Sequence, residues 1–245
     1  MTVSVNVNDD QPFLKIAHRG YSEKYPENTL LAFEQAILAG ADMIELDIRF
    51  SQDGQIVVIH DSRINRTSDG RGRVADLTLA QLRRYNYING MVQHGVIAIP
   101  TLEEVVDLFG RRVLLNVEIK KGRNVKRDIE GKLIELLTRK AMIDRVVISS
   151  FNCASLRRLK EINSDVKTGF LYKKVRRTFF DNVRSLGVSS LHPSLEAIDK
   201  DQLLWAKLHG IAVYTWVATD RATIEQCRSS GFIDGVIVND LGLFR

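Results

Sequence analysis

The sequence predicts an α/β fold built as one unit, and three observations carry that expectation. Eight short runs of β-branched and aliphatic residues recur along the chain, amphipathic stretches with recognisable ends separate most of them, and no Gly-x-Gly-x-x-Gly turn follows the first run. Alternating strands and helices imply a parallel sheet. Eight repeats fit a closed TIM (β/α)8 barrel better than an open doubly wound sheet, which binds dinucleotides through the glycine turn absent here. The 245 residues suit a single barrel domain over 1–245, because barrels of about 250 residues are common as single units.

The elements follow in order. The first strand covers 14–17. In the helix after it Leu30, Phe33 and Ile37 share an apolar face, Asn28 is placed to cap the start, and Gly40 tolerates the positive φ beyond the end. The second strand covers 43–48. The rhythm then breaks: a hairpin strand at 55–60, after the Asp53-Gly54 turn, opens an insertion of approximately 55–99 with a loop at 69–73 and a helix at 77–84. Thr101 and Glu104 form a capping box after Pro100, and Gly110 closes that helix. Further strands are expected at 113–119, 146–148, 168–171, 188–191, 211–216 and 235–238. Asp199 with Gln202 and Gly210 bracket one late helix, and 220–230 followed by Gly231 forms another. Little sequence follows the eighth strand, so the eighth helix is missing or its place falls to another segment, such as the N-terminal residues.

Bulk properties narrow the function classes. A net charge of +5 and a pI near 9.2 favour anionic partners, although such a charge also simply aids solubility. The lysines and arginines are scattered, without the basic helix or aromatic-interleaved run of a nucleic-acid binder. Cys153 and Cys227 lack metal-site spacing and suggest no disulfide framework. Residues 1–11 carry neither a basic nor an apolar leader pattern, and no run of about 18 apolar residues follows. The expectation is a cytoplasmic protein without a stable membrane anchor, with homo-oligomerisation left open.

Chemistry is visible where polar residues interrupt apolar strands. Side chains alternate along a strand, so Glu45 and Asp47 share one face, as do Glu118 and Lys120; His18 ends the first strand and His60 the hairpin strand. Barrel strands bring their C-terminal ends to one mouth. Three inward carboxylates there would each cost several kcal/mol unless paired or metal-bound. Oxygen ligation by Glu45, Asp47 and Glu118 would select a hard ion, Mg²⁺, Ca²⁺ or Mn²⁺. The competing structural reading pairs Glu118 with Lys120 and Asp47 with Arg49. Lys120 as a Schiff-base lysine is disfavoured, because adjacent carboxylates raise its pKa.

Arg19 and Gly20 suit a phosphate, through a bidentate guanidinium and a close backbone approach. Two imidazoles at one mouth suit an acid and a base, with histidine metal ligation as the competitor; sequence physics does not say which is which. His94 and His209 read as structural. His192 reads equally well as structural or pocket-lining. Lys173, Lys174, Arg176 and Arg177, after the fifth strand, fit either a rim that concentrates anionic substrate or a solvated basic loop.

The ordered set His18-Arg19-Gly20, Pro26-Glu27-Asn28-Thr29, Glu45-Leu46-Asp47, Asp53-Gly54, His60-Asp61, Arg66-Thr67, Pro100-Thr101-Leu102-Glu103-Glu104, Glu118-Ile119-Lys120 and Trp216 resembles the glycerophosphodiester phosphodiesterase family over nearly the whole chain. The resemblance implies a TIM barrel that hydrolyses a small-molecule glycerophosphodiester to sn-glycerol 3-phosphate and an alcohol, with one divalent cation, Mg²⁺ or Ca²⁺. It implies Glu45, Asp47 and Glu118 as metal ligands, His18 as base and His60 as acid. Arg19 and Lys120 would hold the phosphate and Trp216 would line the glycerol side. Pro26, Glu27 and Asn28 are assigned turn and capping roles. A barrel cleaving lipid phosphodiesters and a catalytically silent phosphodiester binder are the remaining alternatives.

Overall fold

The computed structural model describes residues 12–120, 128–175 and 179–245; residues 1–11 and the predicted rim residues Arg176 and Arg177 lie outside them. Eight parallel strands close on themselves: β1 (Leu14–His18), β2 (Met43–Phe50), β4 (Leu114–Ile119), β5 (Val146–Ser150), β6 (Lys167–Tyr172), β7 (Ser190–Pro193), β8 (Ala212–Ala218) and β9 (Gly235–Val238). Closure is made by β1, which pairs with β2 on one side and β9 on the other. Each expected strand is present. A ninth strand, β3 (Ile56–Val58), pairs antiparallel with β2 through Ile48↔Val58 and Phe50↔Ile56.

Helices α1 (Leu30–Leu38), α3 (Leu102–Phe109), α4 (Ile129–Arg139), α5 (Cys153–Ile162), α6 (Phe179–Leu186), α7 (Lys200–Leu208) and α8 (Arg221–Ser229) follow the strands, and the short α2 (Leu79–Leu82) lies in the insertion. The main core fills the space between strands and helices, where Phe33, Ile44, Leu46, Leu115, Val117 and Leu133 are fully buried. At about 1.5–3 kcal/mol for each large side chain, this layer carries most of the stabilisation. Inside the barrel a smaller apolar group, Ile16, Met43, Val147 and Ile237, packs together.

The helix-end signals mostly hold. Thr101 and Glu104 make both bonds of a capping box, Asp199 accepts from the amides of Asp201 and Gln202, and Asp220 accepts from that of Thr223. One assignment is corrected. Thr29, not Asn28, caps α1, its hydroxyl accepting from Ala32 N, while Asn28 sits one residue earlier at φ +57. In the insertion the helix begins two residues later than expected, because Thr78 and Gln81 close a capping box and leave Leu77 outside it.

The insertion has its own small core of Val57, Ile59, Ile64, Val74, Leu82, Tyr87 and Ile99. The hairpin strand is shorter than the predicted 55–60, but pairing with β2 continues through Ile59 N donating to Asp47 O at 2.9 Å, which carries His60 to the barrel mouth. After β9 a 3-10 turn, Leu241–Phe244, buries Leu241 against the main core.

Candidate active site

Strand register assembles the site. His18 lies opposite Glu45 across the β1–β2 pair, and Asp47 lies opposite Glu118 across the β2–β4 pair. The side-chain period of two puts Glu45, Asp47 and Glu118 on the interior face at the C-terminal end of the strands. Each of the three offers a carboxylate oxygen within 4.8 Å of the others, and all are buried.

The electrostatics of this cluster are lopsided. Burial works against ionisation of Asp47, yet Lys120 and Arg19 hold its carboxyl well below the usual range. Burial, then the charges of Asp47 and Glu118, push Glu45 well above that range. Burial and Asp47 push Glu118 up to about 7. Lys120 lies between two of these acids, its Nζ 2.8 Å from Asp47 Oδ1 and 2.6 Å from Glu118 Oε1. The competing pairing of Glu118 with Lys120 is therefore made. Arg49, by contrast, donates Nε to the carbonyl of His60 at 2.9 Å and so fixes the backbone of that histidine. The ammonium of Lys120 and the guanidinium of Arg19 together leave Glu45 and Glu118 shifted upward. A divalent cation would relieve that cost, and three buried carboxylates form the oxygen donor set that suits a hard ion.

The two histidines differ in their second partner. His18 Nδ1 is 2.6 Å from Asn239 Oδ1, an amide oxygen that only accepts and also receives Ser22 Oγ at 3.3 Å. Nδ1 of His18 therefore carries the proton, and Nε2, 3.9 Å from Glu45 Oε2, presents a lone pair. Burial, with Arg19 nearby, lowers His18 to about 4. His60 Nδ1 instead meets the Asp61 carboxylate at 2.6 Å. Burial lowers His60 as well, but Asp47 and the bond to Asp61 oppose the shift.

Arg19, at φ +58, is held within the mouth. Its amide donates to Glu45 Oε2 at 3.1 Å, its Nη1 donates to Glu27 Oε1 at 2.9 Å, and its Nε is 3.3 Å from Asp47 Oδ2. Trp216 donates Nε1 to the His192 carbonyl, stands edge-on to Phe151 at 5.8 Å, and has Lys173 Nζ 5.6 Å from its ring. Of the other basic residues expected at the rim, Lys174 is exposed.

Three participants escape the sequence reading. Asn28 is a site residue rather than a cap: its Nδ2 donates to Asp47 Oδ2 at 2.8 Å, and its Oδ1 accepts from Asp47 N at 3.3 Å. Glu27 is likewise more than a turn residue, since it binds Arg19. Asn239 follows the last strand, and its position at a strand end is the signal that points to the mouth. His192 is fully buried inside the barrel, 2.8 Å from Ser190 Oγ and packed on Tyr214, and burial lowers it to about 3. It is a structural histidine.

Known proteins place this arrangement. The model of the glycerophosphoryl diester phosphodiesterase family matches residues 18–243. A glycerophosphodiester phosphodiesterase of Caldanaerobacter subterraneus subsp. tengcongensis is 37% identical over 229 residues, covering 93% of this chain and 94% of its own. Among solved structures, an Oleispira antarctica phosphodiesterase in complex with the product sn-glycerol-3-phosphate superposes with a TM-score of 0.88 at 26% identity, covering 96% of both chains. The glycerophosphodiester phosphodiesterase of Thermotoga maritima gives 0.79 at 30% identity, covering 95% of this chain and 96% of that one. With its closed barrel and these matches, the chain belongs to the glycerophosphoryl diester phosphodiesterase family, a family of enzymes.

Proposed function

We propose that this enzyme hydrolyses glycerophosphodiesters to sn-glycerol 3-phosphate and an alcohol, through a cyclic phosphate intermediate. The observation that carries the reading is the contrast between the two imidazoles beside the carboxylate cluster. His18, kept neutral and tied by Nδ1 to an amide oxygen, is suited to accept a proton at Nε2; His60, tied to a carboxylate that favours its cationic form, is suited to deliver one.

His18 Nε2 takes the proton of the substrate's own 2-hydroxyl, whose oxygen then bonds to phosphorus. The bond from phosphorus to the departing alcohol breaks, and that alcohol leaves with the proton from His60. Water opens the cyclic ester with the two roles reversed, which returns both histidines to their starting states. Arg19 has five N–H groups, and those beyond its contacts with Glu27 and Asp47 would grip the phosphoryl oxygens. Lys120 would add positive charge on the same side, and Trp216 would wall the glycerol. Glu45, Asp47 and Glu118 would hold one Mg²⁺ or Ca²⁺, with Mn²⁺ as a substitute; that ion supplies Lewis-acid charge compensation at the phosphate.

The test is release of glycerol 3-phosphate from several glycerophosphodiesters, with chelator and then each ion added back. Release that disappears with chelator and returns with a hard divalent ion is the expected result. A 2-deoxy substrate should not be cleaved, and its efficient cleavage would eliminate the cyclic intermediate. No release under any condition would favour a silent phosphodiester-binding barrel.

A further inference from the structure

Arg66, in the insertion, reaches both sides of the site at once. Its Nη1 and Nη2 donate to the two oxygens of Glu27 at 2.6 and 2.8 Å, and its Nε donates to Asp61 Oδ2 at 2.8 Å. Glu27 in turn accepts from Arg19 at 2.9 Å, and Asp61 binds His60 at 2.6 Å. The result is a continuous chain, Arg19–Glu27–Arg66–Asp61–His60, joining the group that faces the phosphate to the group that serves the leaving alcohol.

We infer that Arg66 is a positioning residue for the proton-transfer step: by clamping Asp61 against Glu27 it fixes the His60 ring, while Arg19 is held by its own contacts with Glu27 and Asp47. The inference rests on the proposed role of His60 as the acid. A planar guanidinium with N–H groups on two edges bridges two carboxylates in a fixed relation, which a flexible ammonium does not. The turn that carries Arg66 is itself anchored. Ile64 is fully buried in the insertion core, Ile64 N donates to Gly72 O, Ser68 N to Ile64 O, and Asn89 N to Thr67 O. The insertion thus has a mechanical purpose, because its core sets where Asp61 stands and hence which way the His60 imidazole faces. Without Arg66, Asp61 and Glu27 each keep one partner, and the His60–Asp61 pair gains freedom to swing from the leaving oxygen. Near-attack geometry tolerates little such freedom.

The experiment compares two leaving groups. Glycerophosphocholine releases an alkoxide that must be protonated, whereas the p-nitrophenyl ester of glycerol 3-phosphate releases a phenolate that needs little help. R66A should lower kcat on the first by about tenfold or more and on the second by less than about threefold. H60A, run in parallel, should show the same selectivity more strongly. Equal losses on both esters in R66A, with H60A selective, would overturn the positioning role and leave the acid assignment intact. Equal losses in H60A would overturn the acid assignment, and this inference with it. Failure of the unmodified enzyme to cleave either ester in the presence of divalent ions would remove the proposed function itself. Should R66A unfold, R66K, which can satisfy one carboxylate at a time, is read by the same ratio: a selective loss supports the inference and an equal loss defeats it.

Discussion

Replacing Glu118 by glutamine should stabilise the metal-free protein, by an amount that grows with pH. Glu118 is 6% exposed, and burial together with Asp47 pushes its carboxyl from 4.5 up to about 7. In the unfolded chain it titrates near its ordinary value. Between those two values the folded state binds more protons than the unfolded state, so the free energy of unfolding falls as pH rises. The displacement from 4.5 to about 7 corresponds to about 3 kcal/mol. That penalty is absent at acid pH, accumulates as pH rises to about 7, and is constant above it. The neutral amide of E118Q has no such window. The difference between the two proteins is the informative quantity, since His18, lowered to about 4, and His192, lowered to about 3, contribute stability that rises with pH over the lower part of this range. Urea unfolding of both proteins in chelator, from pH 5 to pH 8, should show the advantage of E118Q widening by about 2.5 kcal/mol, the remainder having accumulated below pH 5. A difference that stays flat or narrows would refute the reasoning. Mg²⁺ or Ca²⁺ at a hundred times its Kd should narrow the difference, adding about 2.7 kcal/mol to the unmodified protein and less to the variant.

Two further outcomes follow from local geometry. N28A removes both bonds to Asp47 and puts a methyl side chain at φ +57; a loss of about 2–4 kcal/mol is expected, together with weaker divalent-ion binding by calorimetry. G20A would place a Cβ 2.7 Å from the backbone carbon of Ala32 at φ +80, so thermal unfolding should reveal a loss of about 2 kcal/mol or more from displacement of α1.

How much of this was legible in the sequence depends on the range of the interactions concerned. Strand parity alone placed Glu45, Asp47, Glu118 and Lys120 on one face, because the side-chain period of two is local and the barrel supplies convergence. Caps such as Thr101 and Asp220 were readable for the same reason, their partners lying three residues away. Asn28 is ambiguous in sequence because asparagine suits both a helix cap and a left-handed turn, and the neighbouring Thr29 competes for the cap; the bond to Asp47, nineteen residues distant, separates the two roles. The Arg66–Glu27 pair spans thirty-nine residues and leaves no local pattern. The acid and base assignments were open for a related reason: the partners that distinguish them are a sequence neighbour, Asp61, and a residue 221 positions away, Asn239.

The pairing of β9 with β1 has a consequence for the order of events during synthesis. The last strand both closes the sheet and precedes Asn239, the partner of His18. A nascent chain that has emerged only as far as β8 already holds Glu45, Asp47, Glu118 and both histidines in its sequence, yet it lacks the seam that would bring β1 into place against its final neighbour. The β1–β9 seam and the Asn239–His18 bond are therefore among the last contacts that the emerging chain can make, and the base of the site gains its partner only when the barrel closes.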